Sequence, residues 1–459
     1  MLSCQREGII RIVKALLQWI KSNRVMLVNS GSLVGTMAVS SVLGFIYWWV
    51  AARHFPPEAV GIASAAVSSM MLLGTICMSG LGTLLITELP RQPGKETTLI
   101  STALVVGGGV GAGIGILFAV VAPYASAQFN PLRASVADIV IFATGVSLAA
   151  MSSVLDQALI GILRGNLQFW RNTFFAVAKL ILLFVFGLYL SQKTGMTIYT
   201  AWAIGMALSL AASLGFALQK KGWPGRAWLP QWRLMRKLGP AALQHHFLNL
   251  MVGAPTQVLP VLVAALLSAK MNAWFYVSWM IANFVFFVPL ALTVVLHAMN
   301  SAQQSSLRHR ARVTLGVAFV TSLVAVCLLE LASKQVLGLL GSSYAEHATW
   351  CLRVLVLFAF PSIIKSHYLS FCRIQDRLGN AMRAILAGGV LELVGAALGA
   401  RLGGLSGLGL GLVLAATVEA LFMSRTVYKT VRPAEGPWKK ADQESDRETT
   451  EQTMASRIG

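Results

Sequence analysis

Residues 98–123, TLISTALVVGGGVGAGIGILFAVVAP, hold no charged side chain from end to end. A water-soluble helix of that length would carry a polar face, so the stretch reads as a helix crossing a bilayer, whose hydrocarbon core takes roughly 20 apolar residues to span. The pattern repeats outward from it. Further apolar runs lie near 31–52, 60–86, 135–162, 172–190 and 197–218, then near 240–267, 273–299, 313–333, 349–370, 380–400 and 403–424. The predicted fold class is all-α, a polytopic membrane protein of about twelve transmembrane helices. With 56% of 459 residues hydrophobic and 12% charged, the apolar surplus exceeds what a soluble core could bury, and no separate soluble domain fits beside the spans.

The formal charge of +20 would suggest nucleic acid in a soluble protein, but here the basic residues sit between apolar runs rather than on one patch. Nucleic acid is therefore excluded as a partner. Of the 37 Lys and Arg, about 28 flank the spans on one side and about seven on the other, which assigns the richer side, and both chain ends, to the cytoplasm. Residues 1–24 alternate Ile9, Ile12, Leu16, Trp19 and Ile20 with Arg6, Arg11, Lys14 and Lys21 at helical spacing. They read as an amphipathic helix lying in the membrane interface, not as a cleaved signal. Residues 25–218 form a first lobe of six helices and 240–424 a second. Between them, 219–239 is a linker that interleaves Lys220, Lys221, Arg226, Arg233, Arg236 and Lys237 with Trp223, Trp228 and Trp232, suited to anionic headgroups. The tail, 425–459, turns polar and reads as disordered after Val431. A shift of about 214 positions lays Glu58–Ile62 over Asn272–Tyr276, the mark of two pseudo-symmetric halves.

Cofactor chemistry finds no motif. Cys4, Cys77, Cys327, Cys351 and Cys372 make no Cys-x-x-Cys pair, so neither disulfide framework nor metal site is expected. Gly107-x-Gly109-x-x-Ala112 sits inside an apolar span with no strand before it, and there is no phosphate-binding Gly-x-x-x-x-Gly-Lys loop. Gly107, Gly111 and Gly115, and Gly403, Gly407 and Gly411, recur every fourth residue and predict close helix packing in the third and twelfth spans.

Ionisable residues inside hydrocarbon are the functional pointers, because each costs several kcal/mol, roughly, unless it meets a partner or a wet cavity. Asp156 and Lys179 lie almost equidistant from a hairpin near 167 and are expected to pair. Lys365 and Glu392 lie likewise about a hairpin near 378. Such pairs either lock their hairpins or face a central cavity, and the residues leave both readings open. The seventh span opens with His245 and His246 and contains Asn249, Pro255, Thr256, Gln257 and Pro260, which makes it the most polar of the set. Glu330 and Glu419 are read as snorkelling partners of Lys334 and Arg425.

Four stretches carry a family resemblance. Asn29-Ser30 with Ala52-Arg53-His54-Phe55-Pro56-Pro57-Glu58-Ala59-Val60-Gly61, Leu163-Arg164-Gly165-Asn166 with Arg171-Asn172, Arg377-Leu378-Gly379-Asn380 with Arg383, and Gly404 to Ala416 resemble the polysaccharide-transport branch of the multidrug/oligosaccharidyl-lipid/polysaccharide (MOP) flippase superfamily. Pro56 stands where that family usually has glycine. The resemblance implies two lobes around a cationic cavity in the bacterial inner membrane, and flipping of a polyprenyl-diphosphate-linked oligosaccharide between leaflets. Membrane lipids and polysaccharide assembly proteins would be its partners. It further implies Arg53, Lys179 and Lys365 as headgroup contacts, and Asp156, Glu392, His245 and His246 as ion-coupling groups. Two rival readings are a cation-coupled multidrug exporter of the same superfamily, with an acidic and aromatic cavity, and a polymerase or ligase of glycan assembly. The latter usually needs a large catalytic outer loop, whereas no outward loop here exceeds about twenty residues. The expectation is a transporter, not an enzyme.

Overall fold

The structure, a computed structural model, describes residues 24–78, 80–92, 94–221, 250–251, 253–302, 307–375 and 377–431. The interfacial helix, most of the Trp-rich linker, His245 and His246, and the tail from 432 lie outside the described residues. The first half holds α1 (Arg24–His54), α2 (Pro57–Met78), the short α3 (Leu81–Glu88), α4 (Glu96–Ala125), α5 (Val136–Gly161), α6 (Gly165–Tyr189) and α7 (Gly195–Lys221). The second holds α8 (Gly253–Leu266), α9 (Ala269–Ala302), α10 (Leu307–Gly338), the short α11 (Ser342–His347) and α12 (Thr349–Val356), α13 (Ala359–Ile374) and α14 (Leu378–Val431). The described residues form helices and connecting turns without a strand.

Ten stretches among the described residues are long and apolar enough to cross a bilayer. α8 is shorter, and α14 is two helices in one. Its backbone leaves helical geometry at Gly403 and Gly404, the latter with φ of +58°, a left-handed conformation that a side chain would strain. Past this turn the chain folds back on itself, so Gly407 meets Gly399 and Gly411 meets Gly395 backbone to backbone. The predicted glycine face is corrected at one position: Gly403 belongs to the turn and has open space beside it, while Gly407 and Gly411 do the packing. In α4, Gly111 and Gly115 leave a Cβ position only 3.0 and 2.7 Å from the Cα atoms of Ser147 and Ala143 in α5, which is the close approach their spacing predicts. The run 60–86 is interrupted, because Gly80 adopts φ of +82° and starts α3 afresh.

Exposed side chains show what surrounds the protein. Val320, Leu328 and Leu331 point outward from α10, and Leu402, Leu421 and Phe422 from α14. In water each such side chain would forgo about 1.5–3 kcal/mol of burial, so their solvent is lipid. α2 is the opposite case, largely buried along its length and rich in small residues.

Among the described residues, the two halves share one hydrophobic cluster. The largest hydrophobic cluster runs through both halves, from Tyr47, Trp48 and Tyr199 to Trp279, Leu352 and Leu408. Two smaller clusters stay within single halves: Leu81, Leu85, Leu99 and Val154 in the first, and Leu296, Ala311, Phe371 and Val427 in the second. Both border the turns at 89–95, 162–164 and 375–377, on the side that carries most of the Lys and Arg. At the other end, polar bonds stitch the seam. Asn272 Nδ2 donates to Gly61 O at 2.8 Å and to Ser64 Oγ at 3.0 Å, and Ala269 N–H donates to Gln128 Oε1 at 3.2 Å. Trp49 Nε1 and Arg53 Nε both donate to Leu339 O at 2.8 Å. Among the described residues, the contacts that join the halves therefore concentrate at the end opposite the turns near 162–164.

Candidate functional site

The polar centre of the second half grows from α13 and the two arms of α14. α12 and α13 are separated at Leu357 and Phe358, after which Pro361 enters the first turn of α13, where its missing N–H costs little. One face of α13 then turns toward a cavity of about 290 Å³ that also touches α8, α9 and the first arm of α14. Lys365 lines this cavity and forms an ion pair with Glu392, also in its wall. Glu419, from the returning arm of α14, reaches the same ammonium at 2.7 Å. Room for its carboxylate exists because residue 388, directly across the hairpin, is glycine; a Cβ there would overlap the Glu419 carboxyl atoms. Lys365 keeps about a fifth of its side chain accessible, whereas both acids are almost fully buried.

This arrangement confirms the expected Lys365–Glu392 pairing and corrects the reading of Glu419, which turns inward to Lys365 instead of snorkelling to Arg425. Two carboxylates share one ammonium, so the fully ionised cluster carries one uncompensated negative charge in a low-dielectric interior. Such a site is stable only with a proton or a cation to balance it.

The first half departs from expectation. Asp156 pairs with Arg171, whose Nη2 lies 2.6 Å from Asp156 Oδ1, and also accepts from Asn172 Nδ2 at 3.1 Å, while Arg171 Nη1 donates to Ser152 Oγ at 2.7 Å. It does not pair with Lys179. The reason is the turn: α5 ends at Gly161 and α6 starts at Gly165, so the hairpin centres near 163, about which 156 and 171 are symmetric. A centre near 167 would have matched 156 with 179. Lys179 instead lies buried among rings, its Nζ 3.2 Å from the centre of Trp202, 4.7 Å from Phe175 and 5.1 Å from Tyr47. Among the described residues no carboxylate stands within ion-pair distance of it.

Arg53 caps the end of α10 through Leu339 at the seam and does not line the cavity. His367 is fully buried between Ile363 O and Thr314 Oγ1, a satisfied packing histidine. Glu330 pairs with Arg353 at 3.7 Å, not with Lys334. Sequence reasoning missed the pairing roles of Arg171 and Glu419, and for Glu419 the signal was present: counted about the glycine turn, position 388 falls opposite 419.

The class of protein is clear from the fold: an all-helical, multi-pass membrane protein of two helical halves with a charged cavity inside one of them. The profile of the family described as polysaccharide biosynthesis protein matches residues 26–303, more than half the chain, and this protein belongs to that family. A search of curated proteins finds no match. Among solved structures it is similar to the inward-facing conformation of a multidrug resistance MATE family transporter of the MOP superfamily. That match has 15% identity, covers 86% of this chain and 98% of the other, and has a TM-score of 0.68. The lipid II flippase MurJ in its inward closed conformation follows at 12% identity, 86% and 87% coverage and a TM-score of 0.66. An outward-facing MATE conformation gives 15% identity, 88% and 96% coverage and 0.57. At these identities the likeness is one of fold, and it is the fold of the MOP superfamily.

Proposed function

We propose that the protein flips a polyprenyl-diphosphate-linked oligosaccharide, the repeat unit of a polysaccharide, from the cytoplasmic to the periplasmic leaflet of the bacterial inner membrane. Membership in the polysaccharide biosynthesis family supports the glycan part of this reading, and the MOP fold supports the transport part. The observation that carries it is Lys365: an ammonium in a cavity wall, shared by two buried carboxylates. A diphosphate cannot cross hydrocarbon bare, and an accessible cation gives it a station, while the lipid tail stays in the bilayer beside the protein.

The same cluster links substrate to an ion gradient. A headgroup that takes the Lys365 ammonium leaves Glu392 and Glu419 without their cation, so they must take up a proton or sodium ion. Anion and ion occupancy are thereby coupled in both directions. With the basic end in the cytoplasm, as the positive-inside rule assigns it, the cycle includes a state open to that side and both chain ends are cytoplasmic. Opening at the other end requires the seam at Arg53, Gly61 and Asn272 to part. Arg53 and Lys179 are occupied in this conformer by Leu339 and by aromatic rings, so any contact they make with substrate belongs to the opened state. Arg171 neutralises Asp156, which suits a lock for the hairpin of α5 and α6.

The test is reconstitution. Full-length protein in liposomes should move a fluorescent polyprenyl-diphosphate oligosaccharide between leaflets, faster under an imposed pH or sodium gradient, and K365Q/E419Q should fold but fail to move it. Wild-type liposomes no faster than empty ones would remove the reading. Cells lacking the protein that stay drug-resistant but lose polysaccharide would separate this function from drug export.

A further inference from the structure

The cavity face of α13 holds more than Lys365. Ser362, Lys365, Ser366, Leu369, Ser370 and Arg373 all line the cavity, at intervals of three and four residues that place them on one side of a helix. The stripe is polar at both ends and hydroxylated between. Its two cations stand two helical turns apart, about 12 Å along the axis, with Arg373 at the basic end, beside the turn that starts α14.

The cations differ in their company. Lys365 is engaged by Glu392 and Glu419. Arg373 lines the cavity with no side-chain hydrogen bond or ion pair among the described residues. Of the hydroxyls, Ser362 donates to Ala359 O at 2.7 Å and Ser370 to Thr293 O at 3.3 Å, whereas Ser366, between the two cations, makes no hydrogen bond among the described residues. Across from this stripe the wall is mostly apolar, with Met251, Pro255, Leu290 and Ile385, and the hydroxyls of Thr256 and Thr293 there donate within their own helices. A guanidinium presents its donors in a rigid fork that matches two phosphate oxygens, which an ammonium cannot do.

We propose that Arg373 is the first phosphate station of the cavity, receiving the diphosphate of an isoprenoid-linked substrate at the basic end and passing it along Ser366 to Lys365. The proposal rests on the flippase reading and deepens it by naming the residue that first takes the diphosphate and the route from there. Two sources share this chemistry, an isoprenoid diphosphate and an ordinary anionic phospholipid headgroup. The diphosphate fits better, because one free fork, one free hydroxyl and a second cation in line offer more donors than a phosphodiester with a single negative charge can use.

Purified full-length protein in phospholipid-free detergent is titrated with geranylgeranyl diphosphate, with binding read by microcalorimetry and folding by thermal melting. R373Q should bind at least about tenfold more weakly, R373K should fall between, and both should melt as wild type does when unliganded. R401Q removes the same charge from the far end of the first arm of α14 and should bind normally. Unchanged affinity in R373Q overturns the proposal, as does displacement of the diphosphate by an equal concentration of phosphatidylglycerol, which would make the site a lipid-headgroup anchor. Liposome translocation separates the two levels. Wild type that moves glycan while R373Q moves it equally fast sinks the station alone. Wild type that binds diphosphate through Arg373 but moves no glycan keeps the station and removes the flippase reading.

Discussion

Each half of the molecule places a lysine inside its spans, and the two are treated in opposite ways. Lys179 is enclosed by Trp202, Phe175 and Tyr47, with no carboxylate in ion-pair reach among the described residues. Lys365 lies between two carboxylates at the edge of a cavity. Ring faces stabilise a cation through a fixed quadrupole, worth about 0.5–2 kcal/mol, and have no proton or ion to exchange. Carboxylates stabilise it with full charges that can be neutralised one at a time. The first arrangement can hold a helix in place. The second can change its partner, which a transport cycle needs.

This contrast can be broken experimentally, and the largest effect should come from Lys365. K365M strands two buried carboxylates and should cost about 3–5 kcal/mol in thermal melting. Adding E392Q and E419Q to the same protein should restore most of that stability without restoring translocation. A triple variant that transports would show that the cluster only locks the fold. A smaller loss is expected from G388A, whose methyl group would press on the Glu419 carboxylate at a cost of about 1–3 kcal/mol, and G388A/E419A should recover it. Failure of that rescue would mean that Gly388 is needed for a reason other than Glu419. The smallest change belongs to K179M. Loss of the cation–π contacts and relief of a buried charge oppose each other, so melting should stay within about 1 kcal/mol of wild type. A K179M protein that melts normally yet transports nothing would make Lys179 a substrate contact in the opened state and bring the two lysines back to one role.

The two halves also differ in how far their sites could be read beforehand. Lys365 and Glu392 lie on adjacent antiparallel helices, with a long flexible side chain that tolerates an error of a few residues in the turn. Asp156 offered no such tolerance. Its partner changes from Lys179 to Arg171 when the hairpin centre moves from 167 to 163, and Leu163, with φ of +54°, marks the true turn. Glu419 was missed although the runs 380–400 and 403–424 were already separated, because its pairing needed the register of the two arms about Gly403 and Gly404. The cage around Lys179 draws on α1, α6 and α7 at once, and no spacing within a single helix points to it.

What the amino-acid sequence determined alone is what one dimension can encode. Uncharged runs long enough to cross lipid require helices, since only internal hydrogen bonds satisfy the backbone there, and the uneven Lys and Arg of the flanks set one side apart from the other. Tertiary structure decided which charges inside the spans meet, and which residues bond across the seam between the halves. Those outcomes turn on helix rotation and on turns placed to within a residue or two, where a shift of one position swings a side chain by about 100° around its helix.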